Sequence, residues 1–149
     1  MVGILLWWFS DSQVIKRNTR NLAATLTIKL DDNKSTRAMK SQDFSALLAP
    51  SFRGSVDTDN HQGVITKDEA ISGHQFLAFK CQFSQANVSE IEITRIEDNR
   101  ATVTAQFEIS LTTSGGASYS DEADGTLVWM RTKDEIWVLE SAKLERKSP

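Results

Sequence analysis

The residues able to do chemistry are few. Asp57, Asp59 and His61 form a D-x-D-x-H cluster inside a polar stretch, SFRGSVDTDNHQG. Oxygen donors at alternate positions open a calcium loop. That loop also needs glycine at its sixth position and glutamate at its twelfth, where this chain has Gln62 and Asp68. The cluster therefore reads as a solvated acidic loop, and no metal site is expected. His74 falls on the apolar stripe of a predicted helix. Histidine titrates near neutral pH. Such a residue is either a core histidine bonded to a neighbour or an acid/base group lining a pocket. Cys81 is the only cysteine, which excludes an intramolecular disulfide. It lies in a Phe-rich apolar segment with nothing beside it to lower its pKa, so it reads as a buried, inert thiol. The chain has no glycine-rich phosphate loop, no H-E-x-x-H, no paired C-x-x-C and no G-x-S-x-G. No cofactor is expected, and no catalytic set is visible beyond the two candidates Asp57 and His74.

Any such group must be positioned by a single domain. The chain has 149 residues, 40% hydrophobic and 25% charged, with a formal net charge of −3. This is the size and balance of one globular unit with a real core. A nucleic-acid binder would carry a basic stripe to neutralise phosphates, and none is present. The densest basic group, Lys16, Arg17 and Arg20, reads as a solvated helix face. Asn33-Lys34-Ser35 and Asn87-Val88-Ser89 match the glycosylation sequon, a pattern frequent by chance.

Val2 to Phe9, VGILLWWF, is continuously apolar. It is too short to span a bilayer, which takes about 20 residues. It lacks the cationic region and cleavage site of a complete signal peptide. It is a packed arm, a partner-binding patch or the remnant of a membrane anchor. The anchor is favoured, because Trp7 and Trp8 suit a membrane interface. Residues 1–9 are accordingly divided from a domain over 10–149. The same reading favours a membrane tether through residues 2–9, placing the domain at the periplasmic or extracytoplasmic face of a bacterial membrane over the cytoplasm.

Ser10-Asp11-Ser12 supplies caps for a first helix, with Val14, Ile15, Leu22, Leu26 and Leu30 at helical spacing. Ser41 caps a second, with Phe44, Leu47 and Leu48 on its apolar side, stopped at Ala49-Pro50. A short strand is possible around Phe52 to Val56. Thr66-Lys67-Asp68-Glu69 is a capping box for a third helix. This helix carries apolar residues on two stripes, the second being Phe76, Phe79 and Phe83, which predicts deep burial on both sides. The period then switches to two. Strands are predicted over Val88 to Glu97, Arg100 to Thr112, Tyr119 to Arg131 and Glu135 to Arg146. The second alternates most cleanly, with Ala101, Val103, Ala105, Phe107, Ile109 and Leu111 on one face. That face is expected to be the floor under the third helix. Helices followed by an antiparallel meander give an α+β fold.

The segments DFSALLAPSF (Asp43 to Phe52), TKDEAISGHQFL (Thr66 to Leu77), GTLVWMR and EIWVLESAKL resemble the nuclear transport factor 2-like superfamily, which includes ketosteroid isomerase-like and polyketide cyclase-like proteins. The resemblance covers nearly all of the chain from Ser12 on. It implies a cone-shaped, strongly curved antiparallel sheet packed on three N-terminal helices. It also implies a pocket at the open end and a homodimer made through the sheet. His74, Phe107, Tyr119 and Trp129 become the candidates to line that pocket. Asp57, following the second helix, takes the place where an isomerase-like base could sit; it would need burial to raise its pKa towards neutrality. Isomerase-like members often place an oxyanion-donating tyrosine on an early helix. Here the one tyrosine, Tyr119, falls near a strand start, a departure that weighs against isomerase chemistry. The expected function is non-catalytic binding of a small apolar ligand or a protein partner. The alternative is an isomerase, cyclase or dehydratase using a pocket Asp or His.

Overall fold

The computed structural model describes residues 2–57 and 62–146, with side chains from Asp11 onward. Three helices and six strands follow in the order α1 (Val2–Thr25), α2 (Lys34–Leu47), β1 (Leu48–Asp57), β2 (Gln62–Thr66), α3 (Lys67–Lys80), β3 (Cys81–Glu97), β4 (Arg100–Thr113), β5 (Ser118–Arg131) and β6 (Trp137–Arg146). The strands form one curved sheet in the order β2-β1-β6-β5-β4-β3. Every pair is antiparallel except β1 with β6. This is the expected α+β architecture, extended by the β1–β2 hairpin, which joins the meander through its one parallel pair.

The helix ends show how local signals compete. Ser10-Asp11-Ser12 caps nothing, because α1 is already helical from Val2. The stretch from Val2 to Phe9 supplies its first turns. Among the described residues no helix is long and apolar enough to cross a membrane. At its other end α1 stops at Thr25, short of Leu30, because Ile28 is taken by a bridge to Ser84 with two 2.9 Å backbone bonds. The cap of α2 is Asn33, whose Oδ1 accepts from the Thr36 N–H at 2.8 Å, and Ser41 lies inside the helix. The Thr66–Glu69 capping box opens α3 as predicted. That helix ends at Lys80, so Phe83 belongs to β3, and Phe76, Phe79 and Phe83 are all 40–48% exposed. Only one stripe of α3, marked by His74 and Ala78, is buried.

Bulges account for the strands whose inward face is not a simple alternation. In β3 the buried or half-buried positions run Ser84, Ala86 and Val88, then Ile91 and Ile93, then Ile96. Register shifts fall between Ser89 and Glu92 and between Ile93 and Arg95, and each inserts a residue that flips the parity. Glu90, with φ 53°, sits in the first of these. In β6 an extra residue, Glu140, separates Leu139 from Ser141 in their pairing with Trp129 and Val128. Both Trp137 and Leu139 on one side of it, and Ala142 and Leu144 on the other, can then face inward. Bulges also bend the strand and raise its twist, which gives the sheet its curvature. The β3–β4 turn uses Asp98 and Asn99 at φ 48° and 65°, the conformation of a tight two-residue hairpin.

Ala101, Val103, Ala105 and Phe107 of β4 are buried as expected and share a core with Leu127, Trp129, Trp137 and Leu139. The helix residues in that core are Ile15 and Leu22 of α1 and Phe44 of α2. Thus α3 does not lie on β4; it packs against α2, β1, β3 and β2. One end of the molecule is closed by polar ties. Trp137 Nε1 donates to Asp11 Oδ1 at 3.4 Å, and Arg131 lies 3.7 Å from Asp11 Oδ2 and 5.8 Å over the Trp137 ring. Asp11 therefore marks the closed end. Thr25 lies about 20 Å further along the same helix at 1.5 Å per residue, beside the open end.

Candidate functional site

At the open end the sheet and helices separate around a cavity of about 820 Å³. Each layer contributes apolar side chains. Leu22 and Leu26 come from α1, Phe44 from α2, Leu48 and Phe52 from β1, and Ala70 and Leu77 from α3. The sheet adds Phe107, Ile109 and Leu111 from β4, Ala123 and Leu127 from β5, and Leu139, Ala142 and Leu144 from β6. Phe76 and Tyr119 also line it while remaining 47% and 51% exposed, which marks the mouth. The volume lies within the range of small-molecule sites, which are concave and mostly apolar.

The space exists because large and small residues are segregated along the strands. Around Ala101 and Ala105 the helices come close and the core is filled. Beyond Phe107 the wall continues through Ile109 and Leu111, while α1 has ended at Thr25. The Phe107 ring is seated against Gly125, where an added Cβ would stand 2.4 Å from its Cε2 atom.

Of the predicted pocket residues, the structure brings together His74, Phe107 and Tyr119. Trp129 is fully buried in the closed end and does not line the cavity. Its indole Nε1 has no hydrogen-bond partner among the described residues. Asp57 is exposed at the end of β1, outside the lining. Asp59 and His61 lie outside the described residues. Among the described residues no group of three His, Cys, Asp or Glu could hold a metal ion. Cys81 is buried, and burial pushes its thiol pKa up, partly offset by the Arg37 charge.

His74 is 2% exposed and both ring nitrogens are engaged. Its Nε2 lies 2.5 Å from the carbonyl oxygen of Thr25, an acceptor only, so Nε2 carries the proton. Nδ1 then accepts from the Ser41 hydroxyl at 2.8 Å. The ring stacks on Phe44 at 4.7 Å between centroids. One histidine thus satisfies a carbonyl left open at the C-terminus of α1 and joins all three helices beneath the cavity. Its role is to hold the wall. It cannot exchange a proton with a ligand without breaking one of these bonds.

Burial is the largest cause lowering the His74 pKa below its ordinary 6.5; Lys40 adds to it and the Thr25 carbonyl opposes. A depressed folded-state pKa means the unfolded chain binds the proton more readily. Stability from His74 is therefore complete above about pH 6.5 and is lost as pH falls through that value towards the folded pKa. One proton limits the slope to about 1.4 kcal/mol per pH unit. Urea midpoints measured from pH 8 to pH 5 should fall most steeply below 6.5, and His74→Gln should flatten that part of the profile. An identical profile in the variant would remove His74 as the source.

Two wall residues were not singled out from the sequence. Asp121 is half-buried on β5 and Glu69 lies at the start of α3. The signal for Asp121 was present: it shares parity with Ala123, Gly125, Leu127 and Trp129, the inward face of its strand. The same alternation that marks the core carries one acidic residue on its inward face. Asp121 is itself engaged by neighbouring groups. Glu69 carried a capping role that concealed its second position.

No protein-family model matches the chain, and no curated protein matches it by sequence. Solved structures do match in shape. A provisionally assigned scytalone dehydratase from Novosphingobium aromaticivorans superposes with a TM-score of 0.74 at 12% identity, covering 99% of this chain and 89% of that one. A type 2 hexachlorocyclohexane dehydrochlorinase gives 0.73 at 8% identity, covering 96% and 89%. A provisionally assigned dehydratase of the nuclear transport factor 2-like family from Streptomyces avermitilis gives 0.70 at 12% identity, covering 94% and 99%. At such identities the likeness speaks for architecture alone, and it agrees with the helix order and the curved sheet: the chain has the nuclear transport factor 2-like fold.

Proposed function

We propose that this protein binds a small apolar ligand in the cavity at its open end and carries out no chemistry on it. The observation that supports this most is the wall itself. Every layer contributes apolar side chains to it, and its one histidine is committed to Thr25 and Ser41. Desolvating an apolar molecule against such a wall is favourable at roughly 25 cal/mol per Å² of apolar surface removed from water. A titration with the neutral fluorophore N-phenyl-1-naphthylamine should give saturable, one-to-one enhancement. Ala70→Trp, which fills the cavity from α3, should abolish it while circular dichroism stays unchanged. Linear, non-saturating fluorescence, or full binding by a folded Ala70→Trp protein, would sink the reading.

A second reading has one specific support. Asp121 places a carboxylate on the wall, and two neighbours in shape are assigned as dehydratases and a third as a dehydrochlorinase. On this reading Asp121 acts as the base of an elimination or isomerisation. A turnover that persisted in Asp121→Asn would remove it.

A further inference from the structure

Helix α3 joins the two edges of the sheet. It leaves β2 at Thr66 and enters β3 at Cys81, and those strands are the first and last in the sheet order. Gly73 stands at the middle of this helix. It lines the cavity with Ala70 and Leu77, three residues before it and four after, on one helical stripe. Glycine is among the least favourable residues inside a helix, because it loses the most backbone freedom on folding. The other glycines from Gly54 onward each have a reason within the chain. Gly54 and Gly125 lie against the Phe52 and Phe107 rings, and Gly63 and Gly116 hold φ of 143° and 90°. Gly115 sits in the β4–β5 turn. Gly73 has no such reason. It is exposed and helical, and a Cβ on it would meet no neighbouring element within 4 Å.

We propose that Gly73 is a specificity determinant of the cavity: the ligand lies against the α3 backbone there, and the bare position leaves room for a ring system. This deepens the ligand-binding reading above and rests on it. The space that a side chain at position 73 would take belongs to the cavity and to no other part of the fold. A rigid ring can close onto a helix backbone that carries no Cβ, and dispersion rewards a contact without a gap. A methyl group would hold the ring off, whereas a single alkyl chain is narrow and can bend around it. Phe76, three residues further along α3, and Tyr119 at the start of β5 line the same mouth. Their faces suit a ring, since aromatic pairs gain energy beyond the area they bury.

Gly73→Ala tests this on the intact chain with two neutral probes of different shape. N-phenyl-1-naphthylamine carries fused rings, and decanol is a single chain. The variant should melt about 2–4 °C higher, since alanine favours the helix. It should bind N-phenyl-1-naphthylamine at least about fivefold more weakly, the low end of what overfilling a packed site costs. Decanol, read by its displacement of the fluorophore, should keep its affinity. Ser72→Ala is the control, because Ser72 is exposed on the same helix and lies outside the wall. It should also raise the melting temperature and leave both probes unchanged, which separates a firmer helix from a filled space. Unchanged fluorophore binding in Gly73→Ala would overturn the proposal, as would an equal loss for both probes or the same loss in Ser72→Ala. A lower melting temperature in Gly73→Ala would overturn it too, because the methyl would then have met the chain. Failure of the fluorophore to bind the unmodified chain would instead overturn the cavity reading on which the proposal stands.

Discussion

Gly125→Ala is expected to lower the unfolding free energy by about 1–3 kcal/mol, the range for overfilling a packed site, and to weaken apolar-probe binding roughly tenfold, about 1.4 kcal/mol. The reason is local. Gly125 faces Ala105 across the β4–β5 ladder, and the Phe107 ring lies against the position a Cβ on Gly125 would take. A methyl group on Gly125 would stand 2.4 Å from Phe107 Cε2, 2.7 Å from Cδ2 and 3.2 Å from Leu144 Cδ2. Contacts that short require the ring to move. Phe107 lines the cavity, so the cavity is where the displaced ring finds room. Stability and binding therefore fall together. The measurement is a double-mutant cycle read by urea denaturation and by probe titration. In a Phe107→Ala background only the 3.2 Å approach to the flexible end of Leu144 remains, so most of the cost should vanish, leaving a coupling energy between the two positions. The same penalty in both backgrounds would show that the ring is not what the glycine accommodates.

This example shows where the sequence was legible and where it was not. The alternation of β4 identified Phe107 as inward-facing, and the capping box at Thr66 located α3. Both signals are local and complete within a few residues. The strand parities of β3 and β6 were legible only in pieces, because a bulge at Glu140 or near Glu90 is one inserted residue with no composition of its own. The start of α2 was missed for a different reason. Asn33 and Ser41 are both acceptable caps, and what decides between them is that residues 34–40 carry Arg37 and Lys40 to distant partners. The exposed stripe of Phe76, Phe79 and Phe83 misled in the opposite direction. Aromatics at helical spacing ordinarily mean core, and here Phe76 lines the mouth of an open cavity instead. Of the cavity wall, His74, Phe107 and Tyr119 were legible. Glu69 was hidden by its capping role, and Asp121 was marked only as the polar member of an inward-facing parity.

Arg37→Met is expected to cost about 2–4 kcal/mol of stability, since bonds from a charged donor contribute about 1.5–3 kcal/mol each but do not add when partly wet. Arg37 spends all five guanidinium N–H groups on backbone carbonyls. Nε donates to Asp32 at 3.0 Å; Nη1 donates to Ala78 and Cys81 at 3.0 and 2.9 Å; Nη2 donates to Lys29 and Gln82 at 3.0 and 2.9 Å. Two of those acceptors lie in the α1–α2 loop and three where α3 passes into β3. One side chain thus fastens the turn that ends the first helix to the turn that ends the third, and its charge sits at the negative end of α3. Lys40 supports the same loop by bonding Asp32 Oδ2 at 2.7 Å and the Thr27 carbonyl at 2.8 Å. That bond is the main cause holding the Asp32 carboxyl below its usual range. Methionine keeps the length of the stem and removes every donor, so the loss measures the bonds and not the packing. Arg37→Lys should recover only a minor part, because an ammonium group has three donors and no planar fork. Hydrogen exchange should rise at residues 29–32 and 78–82 together in Arg37→Met. Faster exchange in one segment alone, or a midpoint matching that of the unmodified chain, would mean that the two turns are held by something other than this arginine.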